Sequence, residues 1–418
     1  MTTSSSRSFD EVDVSSLAFW SNPWQERELS FAALRARDAL SWHAPAEGGL
    51  APPGTDPGFW AAVTHGDVTA VSRRSNVFCT GEGVSIDDTP REILEASASF
   101  LAMDAPRHTA LRQLVSSAFT PKQIARIEAQ IQNQAKRIVD ELILTGDCDL
   151  AAVVSRRLPM WTISEMIGIE PDERANVADA ANSFLAENDP IVQAGRDPMA
   201  VRMEAMVTLH TAAARLAAAR RDDPRDDLMT GLVQAEVDGQ RLTDAEISSF
   251  FVLLSVAGND TTQNTISHGV KAFCDSPDQR AMLQTDVAGR IGGAVEEIIR
   301  YSTPVMTFRR TATVDTELGG RTIAAGEKVV MFYTSANRDE RVFKDPNRFD
   351  ITRSPNNHLG FGGGGPHFCM GASLARTQTA AIFTQLMERV PRMEVGEPRF
   401  IVGNFIHGVA SLPCTLNL

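Results

Sequence analysis

The chain has 418 residues, with 40 Lys plus Arg against 53 Asp plus Glu, a formal charge of 40 − 53 = −13. At roughly 100–200 residues per domain, length alone allows two or three domains. The 43 % apolar and 22 % charged content matches globular averages and argues against disorder, a collagen-like repeat or a disulfide scaffold; the acid excess argues against a nucleic-acid partner, which needs a basic face.

In chain order, the polar start Met1 to Asp13 lacks the apolar segment of a secretory leader. Pro45 to Gly58 is the densest cluster of breakers and reads as a loop, followed by a strand over Phe59 to Thr64. Helical periodicity covers Lys122 to Leu144, Met203 to Arg221, Asp244 to Ala272 and Arg290 to Tyr301. Thr120 before Pro121 reads as one helix start, and Thr243 with Glu246 as a capping box. Arg321 to Phe332 reads as strand, Gly371 to Glu388 as the last helix, and a hairpin-like tail follows. The longest strongly apolar run, Phe250 to Ala257, is far short of the about 20 residues that span a bilayer. Five scattered cysteines (Cys79, Cys148, Cys274, Cys369, Cys414) form no zinc spacing, and their odd number fits a reducing compartment, so a cytoplasmic protein is expected. No repeat and no Pro/Ser/Gly linker divides the chain. One mainly helical domain over residues 1–418 is expected, with β-rich parts around 59–80 and 310–335.

The run from His358 to Gly371, His-Leu-Gly-Phe-Gly-Gly-Gly-Gly-Pro-His-Phe-Cys-Met-Gly, is the most informative stretch. Gly360, Gly362 and Gly365 formally match GxGxxG ahead of a helix, a phosphate-binding pattern. The residues before it, Arg353 to His358, are no buried strand, and the tail after Gly365 is too short for further βα units. The other reading centres on Cys369. Glycines let the chain lie flat against a planar ligand and aim N–H groups at a sulfur, and a following helix N-terminus favours thiolate over thiol. A thiolate is the iron ligand of haem monooxygenases. A single cysteine is otherwise an inert small hydrophobe.

With its neighbours, Phe361 to Gly371 resembles the haem-binding loop of the cytochrome P450 superfamily: glycines, a basic residue (His367) two before the cysteine, and Gly371 two after it. The family usually has Phe seven residues before the cysteine; this chain has Gly362 there and Phe361 one step earlier, which is expected to shield the sulfur from a shifted position.

Three further stretches agree. Ala257-Gly-Asn-Asp-Thr-Thr262 puts acid, hydroxyl and glycine inside an apolar helix, where they are poor choices unless used; in isolation it would read as a solvated turn. It resembles the family's oxygen-activating helix, which implies that Ala257 and Gly258 leave room for the haem site, Thr261 hydrogen-bonds the oxygen-derived ligand and Asp260 relays protons. Glu297-Ile-Ile-Arg300 would in isolation be an exposed i, i+3 pair; it resembles the ExxR motif, which with Arg353 implies a buried structural network. His108, Arg112, Arg310 and His367, with His358 as a further candidate, are the propionate ligands implied by the likeness; Arg310 is chosen over Arg309 by alignment to the pattern.

The likeness spans roughly residues 100 to 415 and implies a cytochrome P450 fold with a haem b cofactor. It also implies hydroxylation of an apolar substrate with dioxygen and two electrons. No reductase is fused, so a ferredoxin and ferredoxin reductase are expected as donors, meeting a locally basic face (candidates Arg112, Arg338, Arg341, Lys344, Arg376); no nucleic acid, no membrane span and a monomer are expected. Val329 to Glu340, the glycine loop and Asn404 to Gly408 are similar to actinobacterial hydroxylases of sterol side chains and methyl-branched lipids, implying an isoprenoid, sterol or branched lipid attacked at a terminal methyl. Phe100, Leu101, Val252, Val256, Ala257, Val305, Met306 and Phe405 are the expected walls, each equally readable as core. The rivals are oxidation of a secondary-metabolite intermediate, and a peroxide-driven or non-oxygenating haem protein on the same fold.

Overall fold

The computed structural model describes residues 7–417 except 38, 50–53, 90, 92–93, 95–99, 117–118, 186–188 and 238. Part of the expected loop at Pro45 to Gly58 therefore lies outside the described residues. Nine helices carry the architecture relevant to the site: α1 (Trp24–Arg35), α2 (Arg107–Ser116), α3 (Pro121–Thr145), α4 (Arg157–Ile167), α5 (Arg174–Leu185), α6 (Pro198–Asp222), α7 (Asp244–Asp275), α8 (Val287–Ser302) and α9 (Ala372–Arg389).

The long helices form where the apolar pattern places them. In α3, Ile124, Ile131, Ala135, Ile138, Val139 and Leu142 recur at helical spacing and are buried; this face packs on α9. Thr120 accepts from the Gln123 N–H and Pro121 fills the first turn. Helix α7 starts from the capping box of Thr243 and Glu246, both halves of which are made. It is buried on nearly every side because α4, α5, α6, α8 and α9 all pack on it.

The strands form smaller units. A five-stranded sheet runs in the order β1 (Ser41–His43), β2 (Phe59–Ala62), β6 (Lys328–Phe332), β5 (Thr307–Ala312) and β3 (Phe78–Cys79). Strands β2 and β6 are parallel, and the other neighbours antiparallel. The stretch expected as one strand from Arg321 to Phe332 is two, Arg321–Ile323 and β6, because Gly326 turns the chain at φ +87°. The tail divides between two sheets. Strands β8 (Arg399–Phe400) and β9 (Val409–Ser411) pair with each other, whereas β7 (Met393–Val395) and β4 (Cys148–Asp149) flank β10 (Pro413–Leu416).

One buried ion pair ties this frame together. Arg300 grips Glu297 through two bonds, Nε to Oε2 at 2.7 Å and Nη2 to Oε1 at 2.8 Å, with both side chains fully buried. Arg353 Nε reaches Glu297 Oε2 at 3.2 Å, Asn356 donates to the same oxygen at 3.1 Å, and the Asp350 N–H donates to Oε1 at 2.9 Å. Arg300 Nη1 spends its remaining donors on the Asn337 and Pro346 carbonyls. Helix α8 is thereby bonded to the non-helical stretch 337–356 that leads into the glycine loop. Removing one partner from a buried ion pair leaves the other charge unmatched, at about 3–5 kcal/mol. We expect Glu297→Gln to lose that much in urea unfolding; a loss below ~1 kcal/mol would show that the pair does not organise this region.

Candidate active site

A cavity of about 930 Å³ lies between α7, the 359–371 loop, β5 and the segment 401–408. Its size is at the upper end of the roughly 300–1,000 Å³ of small-molecule sites. Cys369 is the one cysteine on its wall among the described residues.

The loop that presents Cys369 is shaped by its glycines. Gly362, Gly364 and Gly365 have φ of +98°, +92° and +79°, the left-handed region open to glycine at little cost. A Cβ on Gly365 would meet the Ser72 carbonyl oxygen at 2.3 Å, so the loop lies flush on the helix His65–Arg73. This accounts for the displaced aromatic: a phenylalanine at position 362 would be strained, and Phe361 stands on the cavity wall instead, with the Arg376 guanidinium 4.4 Å over its ring. The Cys369 N–H donates to the Phe361 carbonyl at 3.0 Å. Gly371 caps α9 and its N–H points at the Cys369 sulfur. The thiol opens onto the cavity but is surrounded by protein. Burial pushes its pKa up, against the Gly371 N–H, Arg112 and Arg376.

Four basic groups gather beside this loop. Arg310 is buried, lines the cavity and, among the described residues, donates to the Arg309 carbonyl alone, at 2.7 Å. Its neighbour Arg309 turns away to Asp88 at 2.5 Å and the Asp87 carbonyl. Arg112 lines the cavity and donates to the Phe368 carbonyl. His108 and His367 lie with ring centres 4.0 Å apart and planes tilted by 31°; His108 Nε2 is buried without a partner among the described residues, and His367 Nε2 is 3.4 Å from Thr80 Oγ1. Burial, with Arg310 and His108 nearby, pushes His367 down to about 3. None of the four forms a carboxylate ion pair among the described residues. The cluster thus has unmet capacity for anionic oxygens.

Across the cavity, α7 runs unbroken through the polar stretch Asn259 to Thr265, in which every residue except Thr261 is buried. Ala257 is exposed to the cavity, and Thr261 Oγ1 donates to its carbonyl at 2.9 Å. Asp260 Oδ1 accepts from Gln263 Nε2 at 2.9 Å and Asn259 Nδ2 at 3.3 Å, and both amides approach Asn182 of α5. Among the described residues, no cation pairs with it directly. Burial therefore raises its pKa to about 7, opposed only by the distant charge of Arg156.

Phe100, Leu101, Val252, Val256, Val305 and Phe405 all line the cavity, as expected. Phe405 packs edge-on to Phe308 with ring centres 5.2 Å apart.

Other expectations need correction. Met306 is not on the wall: Val305 bridges to Ile406 and faces the cavity, so its neighbour points the other way. Met306 packs in the core behind, where its sulfur accepts from Arg27 at 3.2 Å. His358 is not a propionate neighbour, because its Nε2 meets Glu296 at 3.0 Å and its Nδ1 accepts from the Gly360 N–H at 3.1 Å. Gly258 is on the wall, but a Cβ there would meet Ile163 of α4 at 3.0 Å, so helix packing also requires the glycine. Arg338 is buried, donates to the Tyr301 carbonyl at 2.9 Å and stacks on Trp24, and it offers no surface to a partner.

The sequence reading missed further polar residues on the cavity wall. Asp189 and Arg399 join at 2.6 Å, bridging the segment after α5 to β8, and Asp179, Asn182, Arg202 and His210 share the wall. Gln263 and Asn259 were detectable, since seven successive polar residues inside an apolar helix are a signal. Arg399 and Asp189 lie 210 residues apart and give none.

Comparisons with known proteins give the family. The family profile described as Cytochrome P450 matches residues 191–390. The methyl-branched lipid omega-hydroxylase of Mycobacterium tuberculosis (strain H37Rv) is 41 % identical over 411 residues, covering 97 % of this chain and 94 % of its own. The chain belongs to the cytochrome P450 family. A steroid C26-monooxygenase of Rhodococcus jostii is 40 % identical over 395 residues, 93 % of this chain and 80 % of its own. The structure of a Mycobacterium marinum cytochrome P450 in complex with pseudoionone is 54 % identical, covers 98 % of this chain and 99 % of its own, and superposes with a TM-score of 0.96.

This P450 is a monooxygenase whose cofactor is haem b, held by a cysteine thiolate. The residues present fit the group: one cavity thiol on a glycine loop, and four basic side chains, one with an orphaned buried nitrogen, where carboxylates would be received. Among the described residues, no helix is long and apolar enough to cross a membrane.

A carboxyl raised to about 7 keeps a proton in the folded state that the unfolded chain loses near its ordinary value of 3.8. Its stabilisation is full at low pH and fades as pH rises through about 7. Between pH 5 and 8, urea unfolding of wild type should lose on the order of 2–3 kcal/mol more than Asp260→Asn. Parallel losses would mean that the carboxyl is already ionised at pH 5.

Proposed function

We propose that this P450 hydroxylates a long apolar substrate (an isoprenoid, a sterol or a methyl-branched lipid) at a terminal methyl, acting as one haem domain over the whole chain. The observation that carries this reading is the mixed lining of one large cavity. Cys369 shares its wall with Val252, Val256, Ala257, Val305, Phe308 and Phe405, and also with Asp179, Asp189, Arg202, His210 and Arg399. The apolar side chains suit a hydrocarbon chain and the polar ones a polar head. The names of the relatives, a methyl-branched lipid omega-hydroxylase and a steroid C26-monooxygenase, and the pseudoionone complex of the M. marinum P450 support the same class.

In this reading Cys369 supplies the iron ligand, and His108, Arg112, Arg310 and His367 receive the propionates. Phe361 and Gly371 shape the sulfur's surroundings, and Glu297, Arg300 and Arg353 hold the loop in place. Haem, when bound, activates dioxygen and oxidises a C–H bond: substrate–H, O₂, two electrons and two protons give substrate–OH and water. The protein's own task is then to bring two protons into an apolar chamber and to keep other water out. Asp260, near neutrality at its carboxyl, gives and regains a proton at physiological pH, and the Asn259 and Gln263 amides hold it in place. Thr261, with its hydroxyl at the cavity wall, presents that proton to the reaction. Electrons come from a separate ferredoxin and ferredoxin reductase, for which Arg112, Arg341, Lys344 and Arg376 remain candidate contacts, and the protein works in the cytoplasm as a monomer.

Two experiments test this. In a difference-spectrum titration across a lipid panel, methyl-branched fatty acids, sterols or isoprenoids should displace iron-bound water at micromolar concentration; a response confined to polar macrolides or peptides would overturn the substrate class. Thr261→Ala should keep haem and substrate binding but lower product per electron pair several-fold, with peroxide released instead. Unchanged coupling would remove Thr261 from proton delivery.

A further inference from the structure

Three of the five cysteines meet at a place the monooxygenase reaction does not use. Strand β4 pairs antiparallel with β10 in a register that sets Cys148 directly opposite Cys414. Opposed residues on antiparallel strands have Cα atoms about 4.5–5.5 Å apart, inside the range of about 4.4–6.8 Å that a disulfide spans. The two thiols are near enough to shift each other's titration, Cys414 lowering Cys148 and Cys148 raising Cys414. Cys148 is half-buried and reachable from solvent, whereas Cys414 is buried. Cys274, at the end of α7, lies under the same sheet with its sulfur 3.6 Å from the Met393 carbonyl oxygen. Cys79 is on the other sheet, and Cys369 faces the cavity.

We propose that Cys148 and Cys414 are an oxidation site, closing to a cross-strand disulfide under hydrogen peroxide. The Cys148 thiolate attacks one peroxide oxygen; an S–O bond forms, the O–O bond breaks and hydroxide leaves. The Cys414 thiolate then attacks that sulfur, the S–S bond forms, and the second oxygen leaves as hydroxide. The two sulfurs supply the two electrons, and the two thiol protons end on two waters. Burial and Asp149 keep the Cys148 thiol above its ordinary value, and burial beside Cys148 pushes Cys414 up to about 12. Closure is accordingly slow, the behaviour of a staple set under sustained peroxide rather than of a rapid sensor.

Position gives the staple a consequence. Strand β10 follows the cavity-lining segment 401–408 after the intervening β9, and β4 runs into the helical turn Ala151–Ser155 packed on α7. The bond would tie the pocket wall's downstream anchor to the helical layer. It would also close a loop between residues 148 and 414, which lowers the entropy of the unfolded chain. An enzyme whose failed turnovers release peroxide would stiffen beside its own substrate chamber.

The experiment incubates haem-loaded protein with hydrogen peroxide over hours, blocks free thiols with iodoacetamide and maps peptides by mass spectrometry without reduction. The expected result is a linked pair of peptides containing Cys148 and Cys414, reversed by dithiothreitol, with a melting temperature raised by a few degrees and the haem Soret band unchanged. Recovery of both cysteines alkylated, a bond from Cys274 to either, or Cys148 trapped only as sulfinic acid would overturn it. In Cys414→Ser, Cys148 should instead be captured by dimedone as a sulfenic acid; no capture, with the variant's Soret band intact, would also count against the site. Should that variant not fold, the wild-type peptide map decides alone.

Discussion

The buried carboxylate of Glu297 is the interaction on which the arrangement of the site depends. It sits with no exposed surface, and its acceptor capacity is filled by Arg300, Arg353, Asn356 and the Asp350 N–H. Such a charge is tolerated inside a protein only when every partner is in place. The requirement runs both ways. Arg300 can satisfy its own donors only if Asn337 and Pro346 present their carbonyls, and Asn337 in turn accepts from the Leu359 N–H at 2.7 Å. Leu359 opens the glycine loop that ends in Cys369. The position of the sulfur is thus set by hydrogen-bond satisfaction more than by regular secondary structure, since the chain from 337 to 371 contains no long element.

Opposite that loop, a different economy governs α7. A helix packed on nearly all sides would ordinarily be apolar throughout, yet this one keeps an unpaired acid in its centre. The amides of Asn259 and Gln263 hold the Asp260 carboxyl without supplying a counter-charge, and burial then raises its proton affinity toward neutrality. The same feature costs the helix stability and underlies the proton role proposed for Asp260. Local cost at a functional position is the pattern expected where fold and chemistry compete.

Much of this was legible in the sequence. The starts of α3 and α7 follow from caps and apolar spacing, and Asp260 and Thr261 announce themselves as residue types out of place in an apolar helix, whereas Cys369 is marked by its glycine loop and Glu297 only by the family likeness. What could not be read is where extended or irregular backbone turns a side chain. Met306 and Val305 look interchangeable until the bridge to Ile406 decides which one faces the cavity. His358 and Arg338 look like available cations until Glu296 and the Tyr301 carbonyl consume them. The Asp189–Arg399 pair is a meeting of two segments far apart in the chain, for which no local pattern exists. The carboxylate pairing of Glu297 with Arg353, also distant, was reached only through the family likeness.

The central claim is that Cys369, delivered by this network, is the thiolate on the iron. The most direct measurement is the absorption spectrum of the reduced protein under carbon monoxide. The account predicts the strongly red-shifted Soret band of thiolate ligation in wild type, and its replacement by the unshifted band of nitrogen-ligated haem in Cys369→His. A wild-type adduct without the red shift, or a red shift that survives in Cys369→His, would contradict it.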